Sequence, residues 1–211
     1  MNSTAKIHLS ALETELVNNT EWIFAKQQII EKVYNLFGEL HGRYRKIIDD
    51  EKEFLPSVFQ NRGGKISRGE NYNGLPYVIL DYPAIFSKEN IIAVRTMFWW
   101  GNFFSTSLHL SGKYFNPAME ISQWLAFFQQ KNFWICINEN EWEHDFHSSN
   151  FIEIREMDQE QTNALRQKHF FKVARKIELS EWNNAQELLE QSFKEIIHMI
   201  CVSFPNGEKA L

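Results

Sequence analysis

Seven consecutive residues, Phe98-Trp99-Trp100-Gly101-Asn102-Phe103-Phe104, place a Gly-Asn pair between two aromatic runs. Gly and Asn reach the positive φ angles of a tight two-residue turn, and aromatic rings suit the pleated surface of a sheet. The segment therefore predicts a β-hairpin with arms from Ile91 to Trp100 and from Phe103 to Ser111. A two-residue loop sets Trp100 opposite Phe103, Phe98 opposite Ser105, Thr96 opposite Ser107 and Val94 opposite His109 on one side. The other side then pairs Trp99 with Phe104, Met97 with Thr106 and Arg95 with Leu108. That second side suits a core everywhere except at Arg95, whose charge calls for a carboxylate. Asp81, on a strand predicted from Leu75 to Tyr82, is placed to supply it.

The rest of the chain is patterned to bury such a ribbon. Its 211 residues are 44% hydrophobic and 15% aromatic, enough for one sizeable core, and no linker rich in Pro, Ser or charge divides it. One domain over residues 1–211 is expected. Ser10 with Glu13 forms a capping-box pattern, and Thr20 offers an N-cap to a long helix carrying Ile23, Ile30, Val33, Phe37, Leu40, Tyr44 and Ile47 on one face. Gln60 to Gly74 is polar and glycine-rich, without apolar period, and reads as a loop. Pro117 opens a further helix running to about Lys131, with Trp124, Leu125 and Phe128 at helical spacing.

Further strands are predicted from Phe133 to Glu139, from Phe151 to Met157 and from His169 to Leu179, the last with one wet face. Asp158 with Gln161 caps a short polar helix between them. Ser180 opens a final helix with Trp182, Ala185, Leu189, Phe193, Ile196, Ile200 and Phe204 in one stripe, stopped by Pro205-Asn206-Gly207. The expected fold is α+β: a mostly antiparallel sheet of about six strands, with helices packed mainly on one face.

Composition narrows the partners. A net charge of −5 supplies no broad basic footprint for nucleic acid, and no apolar run approaches the length of a membrane span. The first sixteen residues are polar and include Lys6, Glu13 and Glu15, which is unlike a secretion signal and leads to a cytoplasmic expectation. Cys136 and Cys201 have no CxxC spacing and read as buried thiols. The sequence calls for no cofactor.

Three groups of residues could carry a function. The mixed side of the hairpin, Phe98, Trp100, Phe103, Ser105, Ser107 and His109, joins rings to hydroxyls and an imidazole, as a pocket floor does; a sheet face covered by a helix has the same pattern. Arg62, Lys65, Arg68 and Glu70 lie in the glycine-rich segment, which could cradle an anion although it lacks the Walker A spacing; Tyr77 follows on the next strand. Glu139, Glu141, Glu143, Asp145 and His147 alternate, so an extended backbone would point all five one way toward a divalent metal, or simply into water.

Lys172, Arg175 and Lys176 read as a solvent-facing strand edge. The function these groups suggest is a domain that binds a small molecule or a partner protein through the hairpin face and the Arg/Gly segment. The alternative is an enzyme using His109 with Arg and Glu, or a metal at the acidic segment. A homodimer is a further possibility.

Overall fold

The structure, a computed structural model, describes residues 7–60, 63–115 and 121–203. Among these residues it contains five α-helices and seven strands: α1 (Ala11–Asn18), α2 (Thr20–Asp50), β1 (Lys65–Tyr72), β2 (Leu75–Phe86), β3 (Ile91–Trp99), β4 (Phe103–Ser111), α3 (Ile121–Gln129), β5 (Trp134–Cys136), β6 (Phe151–Glu153), α4 (Gln159–Leu165), β7 (Phe170–Glu178) and α5 (Ala185–Ser203). The strands form one open antiparallel sheet in the order β1-β2-β3-β4-β7-β5-β6. The α+β class and the antiparallel sheet are as expected; the strand count is one higher.

Helix starts follow local chemistry. Ser10 and Glu13 form the anticipated capping box at α1, and Asp158 and Gln161 form the one at α4. The α2 cap lies one residue earlier than expected, where the Asn19 side chain accepts from the Trp22 amide. Residues Leu179–Asn184 form a 3-10 turn that leads into α5. Pro117 and the residues from Phe204 to Gly207 lie outside the described residues.

The core lies between the sheet and helices α2, α3 and α5. Val33, Phe37, Leu40 and Tyr44 of α2 and Leu189, Phe193 and Ile196 of α5 share one buried cluster with Val78, Leu80, Val94, Phe98, Phe104, Leu108, Val173 and Ile177 of the sheet. Tyr44 stacks on Phe193 with ring centroids 3.8 Å apart. Its hydroxyl donates to the Leu189 carbonyl at 3.2 Å and lies 3.2 Å from the Thr96 hydroxyl, so a polar group in the core is satisfied. Tyr44→Phe keeps the stacking and removes these bonds. It is expected to lower stability by about 1 kcal/mol, measured by urea unfolding.

The first arm of the hairpin leaves the ladder one residue earlier than its sequence predicts. Trp99 pairs with Phe103, and Trp100, Gly101 and Asn102 form a three-residue loop. The Asn102 amide donates to the Trp99 carbonyl at 3.1 Å, and Gly101 takes φ +71° inside that turn. Trp100 leaves the ladder with β4 because its amide donates to the Pro76 carbonyl instead, and its ring meets Trp22 at 5.9 Å. A one-residue slip exchanges faces on one arm relative to the other. Arg95 therefore opposes Ser107 and shares a face with Ser105 and His109, while Phe98 and Phe104 enter the main core together.

The glycine-rich segment is not a loop but the edge strand β1. Its glycines are packing devices. A Cβ on Gly69 would meet the Tyr77 ring at 2.5 Å, because Tyr77, its cross-strand partner, lies over it. A Cβ on Gly64 would meet the His41 ring at 2.5 Å. These close approaches, rather than turn chemistry, account for glycine at the two positions.

Candidate functional site

The second face of the sheet carries the polar chemistry. Hydrogen-bonded neighbours place Asp81, Arg95, Ser107 and Ala174 in one row across β2, β3, β4 and β7, and Ala93, His109 and Lys172 in the next. A connection between β5 and β6, residues 137–150, folds over these rows. Asparagines set its turns: the Asn140 amide donates to the Asn138 side chain, and the Trp142 amide to the Asn140 side chain. Asn150 holds the far end through its side-chain bonds with Asn138 at 2.7 Å and Asp145 at 2.6 Å.

Charged side chains pin this cover to the sheet. Arg95 grips Asp81 with two bonds, Nε to Oδ1 at 2.7 Å and Nη2 to Oδ2 at 3.0 Å, so the carboxylate anticipated for it is present. The remaining arm of the guanidinium, Nη1, lies 2.9 Å from His144 Nε2. Lys172, only 1% exposed, donates from Nζ to the carbonyls of Glu141 and Glu143 and lies 3.4 Å from His144 Nδ1. Tyr72 accepts the amides of His144 and Asp145 at 2.7 and 3.0 Å. Burial raises its hydroxyl pKa to about 12, so it stays protonated.

His144 therefore meets a donor group at both ring nitrogens, and a neutral imidazole can accept at one only. Arg95 makes the shorter contact, 2.9 Å at Nε2 against 3.4 Å from Lys172 at Nδ1, so Nε2 is the accepting nitrogen, while Lys172 spends its N–H bonds on the two carbonyls. Burial first, then the neighbouring Arg95 charge, lowers the Lys172 pKa to about 8. Burial and the charges of Lys172 and Arg95 also hold His144 well below the ordinary histidine range.

His109, 5% exposed, lies 3.0 Å through Nε2 from the Glu141 carboxylate. Burial, followed by the charges of Lys172 and Arg95, pushes its pKa down to about 3. It is thus a neutral donor to Glu141 and a weak base at neutral pH, far from the pKa matching that proton transfer favours.

The structure separates the groups that the sequence joined. Phe98 lies in the main core, and Trp100 stands at the hairpin tip against Phe98 and Trp22. Phe103, Ser105, Ser107 and His109 share the opposite face. Arg68 pairs with Val78, and Tyr77 with Trp99, which puts Arg68 on the helix side and Tyr77 on the other. Between Arg68 on β1 and His109 on β4 lie three strand spacings, about 14 Å, plus an offset of about 17 Å along the strands. No proton could pass among His109, Arg68, Glu70 and Tyr77. Lys65 is exposed on β1, Glu70 pairs with Lys26 at 2.6 Å, and Arg62 lies outside the described residues.

The acidic segment is not extended, so its alternation aligns nothing. Glu139 faces Lys168, Glu141 meets His109, Glu143 bonds Asn140, Asp145 bonds Asn73 and Asn150, and the His147 ring bonds Ser149. Among the described residues no three His, Cys, Asp or Glu side chains are grouped to hold a metal ion. The basic group on β7 is not an edge either, because β7 runs between β4 and β5. Lys172 is buried under the cover, and Arg175 meets Glu195 of α5 at 3.2 Å. Cys136 is buried and Cys201 half-buried, and burial raises both thiol pKa values.

Sequence reasoning missed His144, Lys172 and Tyr72 as partners. One signal was available: Lys172 alternates onto the same face of the strand as Phe170 and Ala174.

Beside the hairpin lies an open cleft of about 650 Å³. Trp99, Phe103 and Phe146 supply its rings; Asn102, Asp145, His147, Ser149, Asn150, Lys176 and Glu178 supply its polar groups. Lys176 and Glu178 pair at 2.8 Å, and the Asp145 carboxylate accepts from the side-chain amides of Asn73 and Asn150, which orient it without neutralising it. A second groove of about 380 Å³ runs between α2 and β1. Among the described residues no helix is long and apolar enough to cross a membrane. No protein-family profile, curated protein or solved structure matches the chain at a significant level.

Proposed function

We propose that this protein is a binding domain whose ligand is a small, uncharged polar molecule held in the cleft beside the hairpin. The observation that carries this reading is the cleft itself, where three aromatic rings meet a rim of amides, carboxylates and a histidine. Its volume is in the range of ligand sites, about 300–1,000 Å³. Rings offer a platform to the apolar face of a ligand, and Asn102, His147 and Ser149 offer hydrogen bonds to its edge. Because Lys176 and Glu178 already neutralise each other, an anionic ligand would find no unmatched counter-charge there, and the rim offers an uncharged ligand hydrogen bonds instead.

The test is an NMR titration of the whole protein with a panel of sugars, polyols and primary amides at millimolar concentration. Saturable shifts at the Trp99 indole and the Asn102 amide are expected for at least one of them. His147→Trp, which fills the mouth of the cleft from an exposed position, should weaken that binding by about tenfold or more. A panel that moves no cleft resonance would overturn the reading.

A further inference from the structure

Among the described residues nothing covers the N-terminal arm of the chain. Helix α1 contains no buried residue, and Ile7, Leu9, Leu12, Leu16 and Val17 stand exposed, Leu12 at 62%. The exposure continues into the first turns of α2, where Trp22, Ile23 and Phe24 are exposed, Phe24 at 60%. An isolated helix of eight residues is not stable in water, where about 12–15 residues are marginal even for good helix formers. Something must pack on α1.

We infer that a second copy of this chain covers the arm, α1 of each copy lying over the α2–β1 groove of the other. Area is the first argument. Eight large side chains, each at least 40% exposed, offer on the order of 800 Å² per copy, which is one partner's share of a standard protein interface. The second argument is continuity. Ile23 belongs both to the exposed patch and to the groove, whose floor continues through Ile30 and Tyr34, so arm and receptor are one contiguous, self-complementary surface, as a two-fold contact requires.

Charge is the third argument. The arm carries Glu13, Glu15 and Glu21, while the groove presents Lys26 and Arg68 beside Glu31 and Glu70, so the complementarity is local to Arg68. Lys26 is paired with Glu70, but Arg68 has no carboxylate partner among the described residues. An acidic α1 laid over the groove gives Arg68 that partner. The hairpin cleft opens on the opposite face of the sheet from the groove, the two approaching each other at the hairpin tip, where Trp22 meets Trp100.

Sedimentation equilibrium of the full chain tests the inference. The wild type is expected at twice the 25.1 kDa chain mass. Leu12→Glu with Leu16→Glu changes exposed residues only, and should return the particle to one chain mass with the same thermal unfolding profile in dilute solution. Arg68→Glu should weaken the dimer by about tenfold, and adding Glu13→Lys and Glu15→Lys should restore it. A wild type of one chain mass over the full concentration range would overturn the inference. So would a dimer indifferent to the leucine substitutions or to the charge exchange.

Discussion

Asp81→Ala is expected to lower stability by about 3–5 kcal/mol, because it leaves Arg95 charged and unpaired beneath the cover. Both bonds from Nε and Nη2 end on that carboxylate, and the side chains of the two residues are mostly shielded from water. His144 cannot take the charge over. It is itself neutral and lies between Arg95 and Lys172. The paired change Asp81→Leu with Arg95→Met removes both charges at similar volume and should recover most of the loss, as buried ion pairs replaced by apolar groups commonly do. Urea unfolding of the two single variants and the pair supplies the cycle. Equal losses in Asp81→Ala and in the paired variant would show that the unpaired charge is not the cause.

The second large effect is on pH dependence. His109 has a folded pKa of about 3 against 6.5 for an ordinary histidine, and His144 is shifted the same way. Between those values the unfolded chain binds protons that the folded chain refuses, so stability rises with pH in this window. The contribution is complete above pH 6.5 and is lost as the pH falls toward 3. Each histidine adds a slope of up to about 1.4 kcal/mol per pH unit.

Lys172 acts at the other end. Its folded pKa of about 8 lies below the 10.5 of a free lysine, so stability should also rise from pH 8 to 10.5. Unfolding free energies measured from pH 6.5 to 5, before most carboxylates titrate, isolate the histidines. His109→Gln and His144→Gln should each flatten that slope by about one proton. A wild-type profile that is level between pH 6.5 and 5 would contradict the neutral, buried state of both rings.

How far the sequence could be read depended on whether the signal was local. The capping boxes at Ser10 and Asp158, the stripe from Val33 to Tyr44 and that from Ala185 to Ile200 are set by residues three or four apart, and all lie where the pattern puts them. The Asp81–Arg95 pair was legible too, since a buried arginine needs a carboxylate and the neighbouring strand offers one. The hairpin register was not. Trp100 could join the ladder or the turn, and the decision came from the Pro76 carbonyl on β2, which takes its amide.

Strand β1 was misread for a related reason. Glycine marks a turn by its own flexibility and marks a close approach by what lies over it, and only the folded chain brings Tyr77 over Gly69 and His41 over Gly64. The alternating acids misled in the opposite sense. Their period of two has meaning only on an extended backbone, and the asparagines at 138, 140 and 150 bend that segment into a cover.

By itself the sequence determined the α+β class, the antiparallel sheet, the helical stripes that build its core and the hairpin at its centre. These follow from short-range periodicity, capping and turn chemistry, which act within a few residues. The tertiary structure alone decided which face His109 joins, that Lys172 is buried and meets His144, and that a cleft opens beside Trp99 and Phe103. A one-residue shift in pairing costs little in local energy but turns every side chain of an arm to the opposite face, so such a choice is made only when distant strands, helices and the covering segment pack together.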